Sequence, residues 1–228
     1  MTYRWTSNLA YAVGLIATDG CLSKDGRHIS LTSTDMQLLE TFRDCPGIKN
    51  SITMNPAGSF AKKKCYKIQF GNVEFYAWLN SIGLSPKKTH TIKELDIPDI
   101  FFPDFLRGHL DGDGSVFTYT DRYMQYKGKQ YTYERLYTVF ISTSPEHIKW
   151  IRSTLTKLLK IKGGLSYFTG KNRTVPLWSL RFAKNDSLKI LPWIYYDPSV
   201  PCLERKRAVA NKYFKAIFQT LLSGVVPL

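Results

Sequence analysis

The hydrophobic positions of the chain follow a pattern that occurs twice. An apolar run over residues 9–18 ends in Asp19-Gly20, and a second run over 105–112 ends in Asp113-Gly114. The two aspartates stand 94 positions apart. In each run, small residues lie four positions apart, a spacing that puts them on one face of a helix. The pattern therefore predicts two equivalent helices, each ending at an aspartate.

The stretches that follow these two helices also match each other. Apolar and polar residues alternate in 66–70 and again in 178–182, which is typical of strands that bury one face. Ser144 and Pro145 suit a helix start, as cap and first helical residue. Each copy is predicted to run helix, two strands, helix, two strands, helix. The fold class is therefore α+β, with duplicated αββαββα units and pseudo-twofold symmetry, rather than an α/β crossover fold.

The two copies divide the chain and differ in length. We assign residues 1–95 to an N-terminal repeat and 96–228 to a C-terminal repeat, whose leading helix is predicted to start within 96–99. The offset between matched positions grows from 94 at the aspartates to 112 at the alternating strands. The second repeat therefore carries an insertion in 118–138, which we interpret as a longer hairpin with its turn near 126–129, and which should extend the reach of this repeat along a partner.

The composition favours a folded, basic protein. The 228 residues include 32 Lys and Arg against 18 Asp and Glu, a net charge of +14, and the 43% hydrophobic fraction excludes intrinsic disorder. Nucleic acid is the first candidate partner of such a surface, because neutralising phosphates releases counterions. The sequence contains no apolar run of about 18 residues, and no membrane partner is expected.

Targeting and cysteine patterns indicate a reducing compartment. The N-terminus lacks an apolar signal segment, so we expect a protein that is not secreted. The expected location is cytoplasmic, bacterial-type and nucleoid-associated, or organellar. The four cysteines and four histidines are scattered without the spacing of zinc ligands. We interpret the cysteines as reduced thiols and the histidines as solvated or hydrogen-bonded side chains.

The repeated helices carry a face suited to close contact. Gly14 and Thr18 form this face in the first copy, and Gly108 and Gly112 form it in the second. Glycine inside a helix costs about 1 kcal/mol relative to alanine. Close approach of the two helix backbones is the natural compensation, so the four residues are predicted to form a helix interface.

Parallel packing of these helices would bring Asp19 and Asp113 together. Two carboxylates repel each other, and the negative end of each helix dipole adds to the conflict. A divalent cation removes it, and hard oxygen ligands select Mg²⁺. Paired carboxylates, Mg²⁺ and a basic surface together indicate metal-assisted hydrolysis of phosphodiesters.

Two other interpretations of the Asp-Gly pairs agree less well with the sequence. Asp-Gly is common in turns, but a turn alone leaves two matched copies unexplained. A calcium loop that begins at Asp111 requires glycine at its sixth position and glutamate at its twelfth. Those positions hold Val116 and Arg122, so this interpretation is rejected.

The two copies resemble the motif of the LAGLIDADG homing endonucleases. Residues 12–20 read AVGLIATDG, and residues 106–114 read LRGHLDGDG. Residues 83–89 and 97–108 also resemble bacterial members, so the likeness covers roughly 7–218. The resemblance implies a single-chain, two-repeat, monomeric enzyme with two saddle-like antiparallel sheets.

The resemblance also implies an activity and its metal ligands. Family members cleave double-stranded DNA at a site of about 20 base pairs, about two turns of duplex, and leave 3′ overhangs. The essential acid is the eighth letter of the motif, here Asp19 and Asp113. Backbone carbonyls of the seventh letter, here Thr18 and Gly112, complete metal binding. Mg²⁺ is the implied cofactor, and Mn²⁺ or Ca²⁺ can occupy the same sites.

Further site positions follow from the resemblance. Lys88 and Lys206 match lysines that steady the charge on the scissile phosphate. With the two aspartates they complete the candidate catalytic set. The sixth letter of the motif is Ala17 in the first copy and Asp111 in the second, and it is not the usual metal ligand.

Strand faces and basic loops supply the candidate DNA contacts. A two-stranded ribbon fits the major groove, where Arg, Lys and Gln recognise base edges, and loop residues suit phosphate contacts. The candidate DNA-binding residues are Arg27, Lys62, Lys63, Lys64, Lys67, Gln69, Arg122, Gln125, Lys127, Lys129, Gln130, Arg135, Lys171, Arg173, Ser179 and Arg181.

Two alternative functions stay open beside the endonuclease. The same fold serves catalytically weak relatives as an RNA-binding maturase, with host-intron RNA as partner, or as a DNA-binding regulator. Loss of an essential acid would favour either, and both Asp19 and Asp113 are present. An unrelated basic α+β protein that binds RNA leaves the duplicated helix ends unexplained. The sequence favours a free-standing or intron-encoded endonuclease.

Overall fold

The first repeat forms helices and strands in the order expected from its pattern. The computed structural model describes residues 3–55, 64–126, 128–170 and 174–223. The elements of the first repeat are α1 (Ser7–Thr18), β1 (Gly20–Leu22), β2 (His28–Ser33), α2 (Met36–Asp44), β3 (Thr53–Met54), β4 (Tyr66–Gly71) and α3 (Val73–Ser81).

The second repeat has the same order of elements and one additional helix. Its elements are α4 (Phe102–Gly112), β5 (Ser115–Tyr126), β6 (Lys129–Ser142), α5 (Pro145–Leu159), β7 (Gly164–Phe168), β8 (Leu177–Phe182) and α6 (Lys184–Ile194), and α7 (Glu204–Ser223) follows them. Among the described residues, no helix combines the length and apolar character needed to cross a membrane.

Each repeat builds one antiparallel sheet with the same strand order. The order is β1-β2-β4-β3 in the first sheet and β5-β6-β8-β7 in the second. The prediction of a duplicated α+β unit is therefore confirmed. The boundary between residues 95 and 96 stays a prediction.

Local sequence explains where most of these elements lie. Ile29 and Leu31 are fully buried on one face of β2, as their alternation with polar neighbours predicts. Ser144 caps α5 by accepting a hydrogen bond from the amide of His147. Helix α4 begins later than predicted, because a short 3₁₀ turn over Asp99–Phe101 comes first.

The insertion over 118–138 lies in a long hairpin formed by β5 and β6. These strands have 12 and 14 residues, against 3 and 6 in β1 and β2. Tyrosines alternate with polar residues along this stretch and have high strand propensity. Gly128 has a φ of 72°, which suits the turn between the strands.

Helices α1 and α4 pack in parallel at the centre of the molecule. A Cβ atom on Gly14 would lie 2.9 Å from the Cα of Gly108, and one on Gly108 would overlap the carbonyl oxygen of Tyr11. The two backbones are therefore in direct contact, as the small residues predict. Every residue from Leu9 to Leu15 is buried at this seam.

The Gly108→Ala substitution is expected to destabilise the protein although alanine is the better helix former. The added methyl group has no room against the backbone of α1, and overpacking of this kind costs about 1–3 kcal/mol. Urea denaturation should show this loss. The matched control is Gly164→Ala in β7, where a Cβ meets only an ordinary 3.8 Å contact. An unchanged or raised stability of Gly108→Ala would contradict the close contact.

Candidate active site

The two motif aspartates lie together at the paired ends of α1 and α4. Asp19 follows α1 with φ −87° and ψ −9°, and Asp113 follows α4 with φ −91° and ψ −10°. A Cβ atom on Gly112 would lie 3.2 Å from Oδ2 of Asp19, so the Asp19 carboxylate crosses to the other helix end. Equal conformations and parallel helices give the two acids equivalent positions.

Burial disfavours the ionised form of both carboxylates, and repulsion from Asp113 adds to this effect at Asp19. Burial raises the pKa of Asp19 to about 6, and the charge of Asp113 adds to the rise. Burial also raises the pKa of Asp113. Lys88 and Lys206 partly oppose both shifts through their positive charges. The ionised form of Asp19 is therefore disfavoured despite the two lysines, and a bound divalent cation would stabilise it.

Lys88 and Lys206 approach this site from equivalent directions. Each is nearly buried, with 4% and 5% of its surface exposed. The ammonium of Lys88 donates to the carbonyl oxygen of Gly20 at 2.5 Å, and that of Lys206 donates to Gly114 at 2.7 Å. Gly20 and Gly114 are the last letters of the two motif copies, so the two lysines bind matching points.

The lysine donors are engaged by backbone carbonyls. Lys206 also donates to Leu110 at 2.5 Å and to Asp111 at 2.8 Å, which uses all three of its N–H groups. Burial lowers the pKa of Lys206 to about 8 and also lowers that of Lys88. In this arrangement the lysines stabilise the helix ends through hydrogen bonds and lower the pKa values of the two carboxylates through their positive charge. Direct contact with a phosphate stays a prediction.

The groups around the two aspartates suit a hard cation. Among the described residues, no cluster of three His, Cys, Asp or Glu side chains is placed to hold a metal. The carboxylates of Asp19 and Asp113 and the nearby backbone carbonyls offer only oxygen donors. The hydroxyl of Thr18 donates to Leu15 at 3.0 Å within its own helix, and the carbonyl oxygen of Thr18 accepts a long hydrogen bond from Lys88 at 3.4 Å. Mg²⁺ matches this donor set, because it keeps several waters and shares phosphate oxygens.

Asp111 has a role that the sequence did not suggest. Its side chain is buried, and Oδ2 accepts hydrogen bonds from the Tyr11 hydroxyl at 3.0 Å and the Leu203 amide at 2.8 Å. Burial raises its pKa to about 6. Leu203 directly precedes α7, which carries Lys206, so Asp111 anchors the start of that helix. The counterpart in the first copy, Ala17, has no such group.

Arg107 is a second buried anchor from the motif helix. It is fully buried and forms an ion pair with Asp104 at 2.7 Å. Its other donors reach the carbonyls of Ile194 and Pro201, each at 2.7 Å. It therefore ties α4 to the segment between α6 and α7. A charged residue inside an apolar run was the available signal for this role.

Of the two histidines beside the site, His147 is hydrogen-bonded, which is one of the two states expected from the sequence, whereas the buried Nδ1 of His109 has no hydrogen-bond partner within the described part of the chain. His109 and His147 are each 1% exposed, with ring centroids 5.3 Å apart, so they are not solvated. His147 donates through Nδ1 to the carbonyl of Lys93 at 2.7 Å. Burial lowers both pKa values, that of His147 to about 4. They line a cavity of about 260 Å³ that also touches Thr18 and Asp113.

The candidate DNA contacts on the strands lie on the open faces of the sheets. Gln69 and Arg181 are exposed, and Lys67 and Ser179 are half-buried. Arg135 is half-buried and forms an ion pair with Asp121 at 3.0 Å.

The remaining candidates lie on hairpins, edges and turns. Arg27, Lys64, Arg122, Lys129 and Gln130 are exposed. Gln125 lies in β5, where it pairs with Gln130. The residues Lys62, Lys63, Lys127, Lys171 and Arg173 lie outside the described residues.

The fold is that of the LAGLIDADG homing endonucleases. The chain is similar to the structure of the I-LtrWI LAGLIDADG homing endonuclease bound to target DNA, at 15% identity over 95% of this chain and 91% of that chain, with a TM-score of 0.56. It is similar to the I-SmaMI LAGLIDADG homing endonuclease bound to cleaved DNA, at 13% identity over 99% and 93%, with a TM-score of 0.60.

The structures of DUF199/WhiA share the same fold. The chain is similar to the N-terminal LAGLIDADG domain of DUF199/WhiA at 16% identity, over 86% of this chain and 85% of that chain, with a TM-score of 0.52. Full-length DUF199/WhiA from Thermatoga maritima matches 97% of this chain at 14% identity, over 69% of its own length, with a TM-score of 0.51. No protein-family model and no curated protein sequence matches the chain.

The Asp19→Asn variant is expected to be more stable than the wild type at pH 7.5 in EDTA. A carboxyl whose pKa is raised from 3.8 to about 6 by folding loses stability as the pH rises through that window. Removing the charge should raise the free energy of unfolding by about 1–3 kcal/mol. The gain should vanish near pH 4, where both states are protonated. Denaturation at both pH values tests this, with the exposed Asp44→Asn as control. A gain that persists at pH 4 would contradict it.

The Lys206→Met variant is expected to lower stability by about 1–3 kcal/mol, because three buried carbonyls lose their donor. The matched control is Lys189→Met on the exposed side of α6, which should change stability by less than about 0.5 kcal/mol. Urea denaturation in EDTA measures both. If Lys206→Met were as stable as the wild type, the carbonyl contacts would not be structural.

Proposed function

We propose that the protein is a site-specific double-stranded DNA endonuclease, which hydrolyses phosphodiesters at a long target with Mg²⁺ and leaves 3′ overhangs. The observation that carries this proposal is the pairing of Asp19 and Asp113 at equivalent, parallel helix ends. The two acids are related by the pseudo-twofold axis, as the two strands of a duplex are. One acid is therefore available for each strand, and cuts on both strands need only one chain.

The residues of the site fit the metal that such chemistry uses. Asp19 and Asp113, with the carbonyls of Thr18 and Gly112, would hold Mg²⁺, which supplies an activated water and stabilises the leaving oxygen. The chain itself contributes the position of the acids, which the backbone contact of α1 with α4 determines. Lys88 and Lys206 temper the negative charge beside the phosphate.

The surface of the protein supports duplex DNA as the partner. Both sheets present open faces with polar or basic residues, and the chain carries a net charge of +14. The similar structures of I-LtrWI and I-SmaMI contain DNA. The pseudo-twofold partner of each repeat lies within the same chain, so we infer that the protein acts as a monomer.

The second candidate function is a DNA-binding regulator without nuclease activity. The likeness to DUF199/WhiA favours it, as does the engagement of the Lys206 donors with backbone carbonyls. An RNA-binding maturase that acts on host-intron RNA would rest on the same basic surface. Both readings leave the paired carboxylates without a use.

Selection of cleaved sites from a random duplex library is the direct test. With Mg²⁺ the wild type should cut one long site with 3′ overhangs, and EDTA should prevent cutting. Asp19→Asn and Asp113→Asn should each lower the cleavage rate by at least about 100-fold, which is the scale for losing a group that organises charge at the reacting phosphate.

The two variants also separate catalysis from binding. Each should bind the selected site at least as tightly as the wild type in Ca²⁺-free buffer at equal salt, because the variants remove a negative charge and leave the residues of the two sheets unchanged. Asp44→Asn should cut and bind like the wild type. Specific binding without cutting in Mg²⁺, Mn²⁺ or any other divalent metal would overturn the nuclease proposal and favour the regulator.

A further inference from the structure

The open faces of the two sheets can be compared position by position, because the two sheets share one register. Ser30 pairs with Cys21 on one side and with Gln69 on the other. Val139 pairs with Ser115 and with Arg181 in the same way. Val139 is therefore the counterpart of Ser30, and Arg181 is the counterpart of Gln69.

The central strands of the two faces have opposite chemistry. On β2 the residues on this face are His28, Ser30 and Thr32, all of which can form hydrogen bonds; His28 and Thr32 are half-buried, and Ser30 is 8% exposed. Their counterparts on β6 are Tyr137, Val139 and Ile141. All three are half-buried in the free protein, so their apolar surface is only partly covered. The first face offers hydrogen bonds along this row, whereas the second offers mainly apolar contact.

The second face also holds one arginine in a defined place. The guanidinium carbon of Arg181 lies 3.7 Å from the centroid of the Tyr137 ring. Phe117 lies beside Tyr137, with ring centroids 5.5 Å apart, and is 38% exposed. Stacking limits the freedom of the Arg181 side chain, and Arg181 is exposed, so it stays accessible to a partner on this face.

These features match particular groups in the major groove. The apolar group there is the C5 methyl of thymine, and the preferred partner of arginine is the O6 and N7 edge of guanine. We propose that the second sheet recognises a half-site with thymine methyls against Val139 and Ile141 and a guanine at Arg181. The first sheet recognises its half-site without methyl contacts. This proposal rests on the proposed duplex-DNA target.

Charge supports duplex DNA rather than a second protein copy as the occupant of this face. Arg135, Arg181 and Arg122 lie on or beside it, and the whole chain carries +14. Two such faces would repel each other in a dimer, whereas phosphates flank any major groove.

The test uses the wild-type protein and its selected duplex. Site selection is repeated with Arg181→Ala and with Gln69→Ala. The base position that loses selectivity in Arg181→Ala identifies the half-site bound by the second sheet. The position that loses selectivity in Gln69→Ala identifies the half-site bound by the first sheet. Each thymine is then replaced by uracil, which removes the methyl and keeps every hydrogen bond. Loss of a buried methyl should weaken binding about fourfold in the second half-site, and binding should stay unchanged in the first.

Substitutions matched across the pseudo-twofold axis sharpen the result. Val139→Ser gives the second sheet the residue that the first sheet has at the equivalent position, Ser30. This variant should bind duplexes with thymine or uracil at one position of the second half-site with equal affinity. Asp44→Asn, on the exposed side of α2, is the control and should leave all differences unchanged. Replacing the contacted guanine by 7-deazaguanine should weaken wild-type binding roughly tenfold and leave Arg181→Ala unaffected.

The outcomes separate this inference from the proposed function. Specific duplex binding with equal affinity for thymine and uracil in the second half-site would overturn the inference and leave the endonuclease intact. Preference for single-stranded nucleic acid, or a dimer in sedimentation that buries Phe117 and Tyr137, would overturn both. Methyl dependence confined to the second half-site, lost in Val139→Ser, would support the inference.

Discussion

The backbone contact between α1 and α4 is the constraint on which the rest of the structure depends. Gly14 and Gly108 let the helices meet without intervening side chains, and each lies against the other helix's backbone. Because the helices are parallel, their ends meet at one place, and Asp19 and Asp113 become neighbours. Any side chain larger than hydrogen at these glycines would separate the helices and move the carboxylates apart. One steric condition thus determines both the core and the candidate catalytic pair.

The two buried lysines reduce the unfavourable electrostatic energy of Asp19 and Asp113 but do not cancel it. Desolvation raises the pKa values of both carboxylates, the charge of Asp113 adds to the rise at Asp19, and two buried lysines partly oppose these shifts. The lysines can stay there because backbone carbonyls of the same helix ends accept their hydrogen bonds. Such a site is charged yet organised before any ligand arrives, which is the condition for electrostatic stabilisation of a reacting phosphate.

The two repeats differ in their buried anchor residues, in the length of one hairpin and in the open face of their sheets. In the second repeat, Asp111 and Arg107 anchor the chain around α7, and the first repeat has Ala17 and Val13 at the equivalent motif positions. The second repeat also has the long β5–β6 hairpin and an apolar open face. The two equivalent acids suit a duplex whose two strands react alike. The different open faces of the two sheets suit half-sites that differ in sequence.

The sequence by itself determined the elements, the duplication and the two aspartates, because periodicity, capping residues and Asp-Gly endings are local signals. Only the tertiary structure decided what these residues touch. The partners of Lys206 lie more than 90 positions away, and the burial that changes the pKa of His147 or Asp111 depends on elements from both repeats. The register that sets Val139 against Ser30 is also a property of the assembled sheets. Contacts across such sequence distances arise from packing, which no local pattern records.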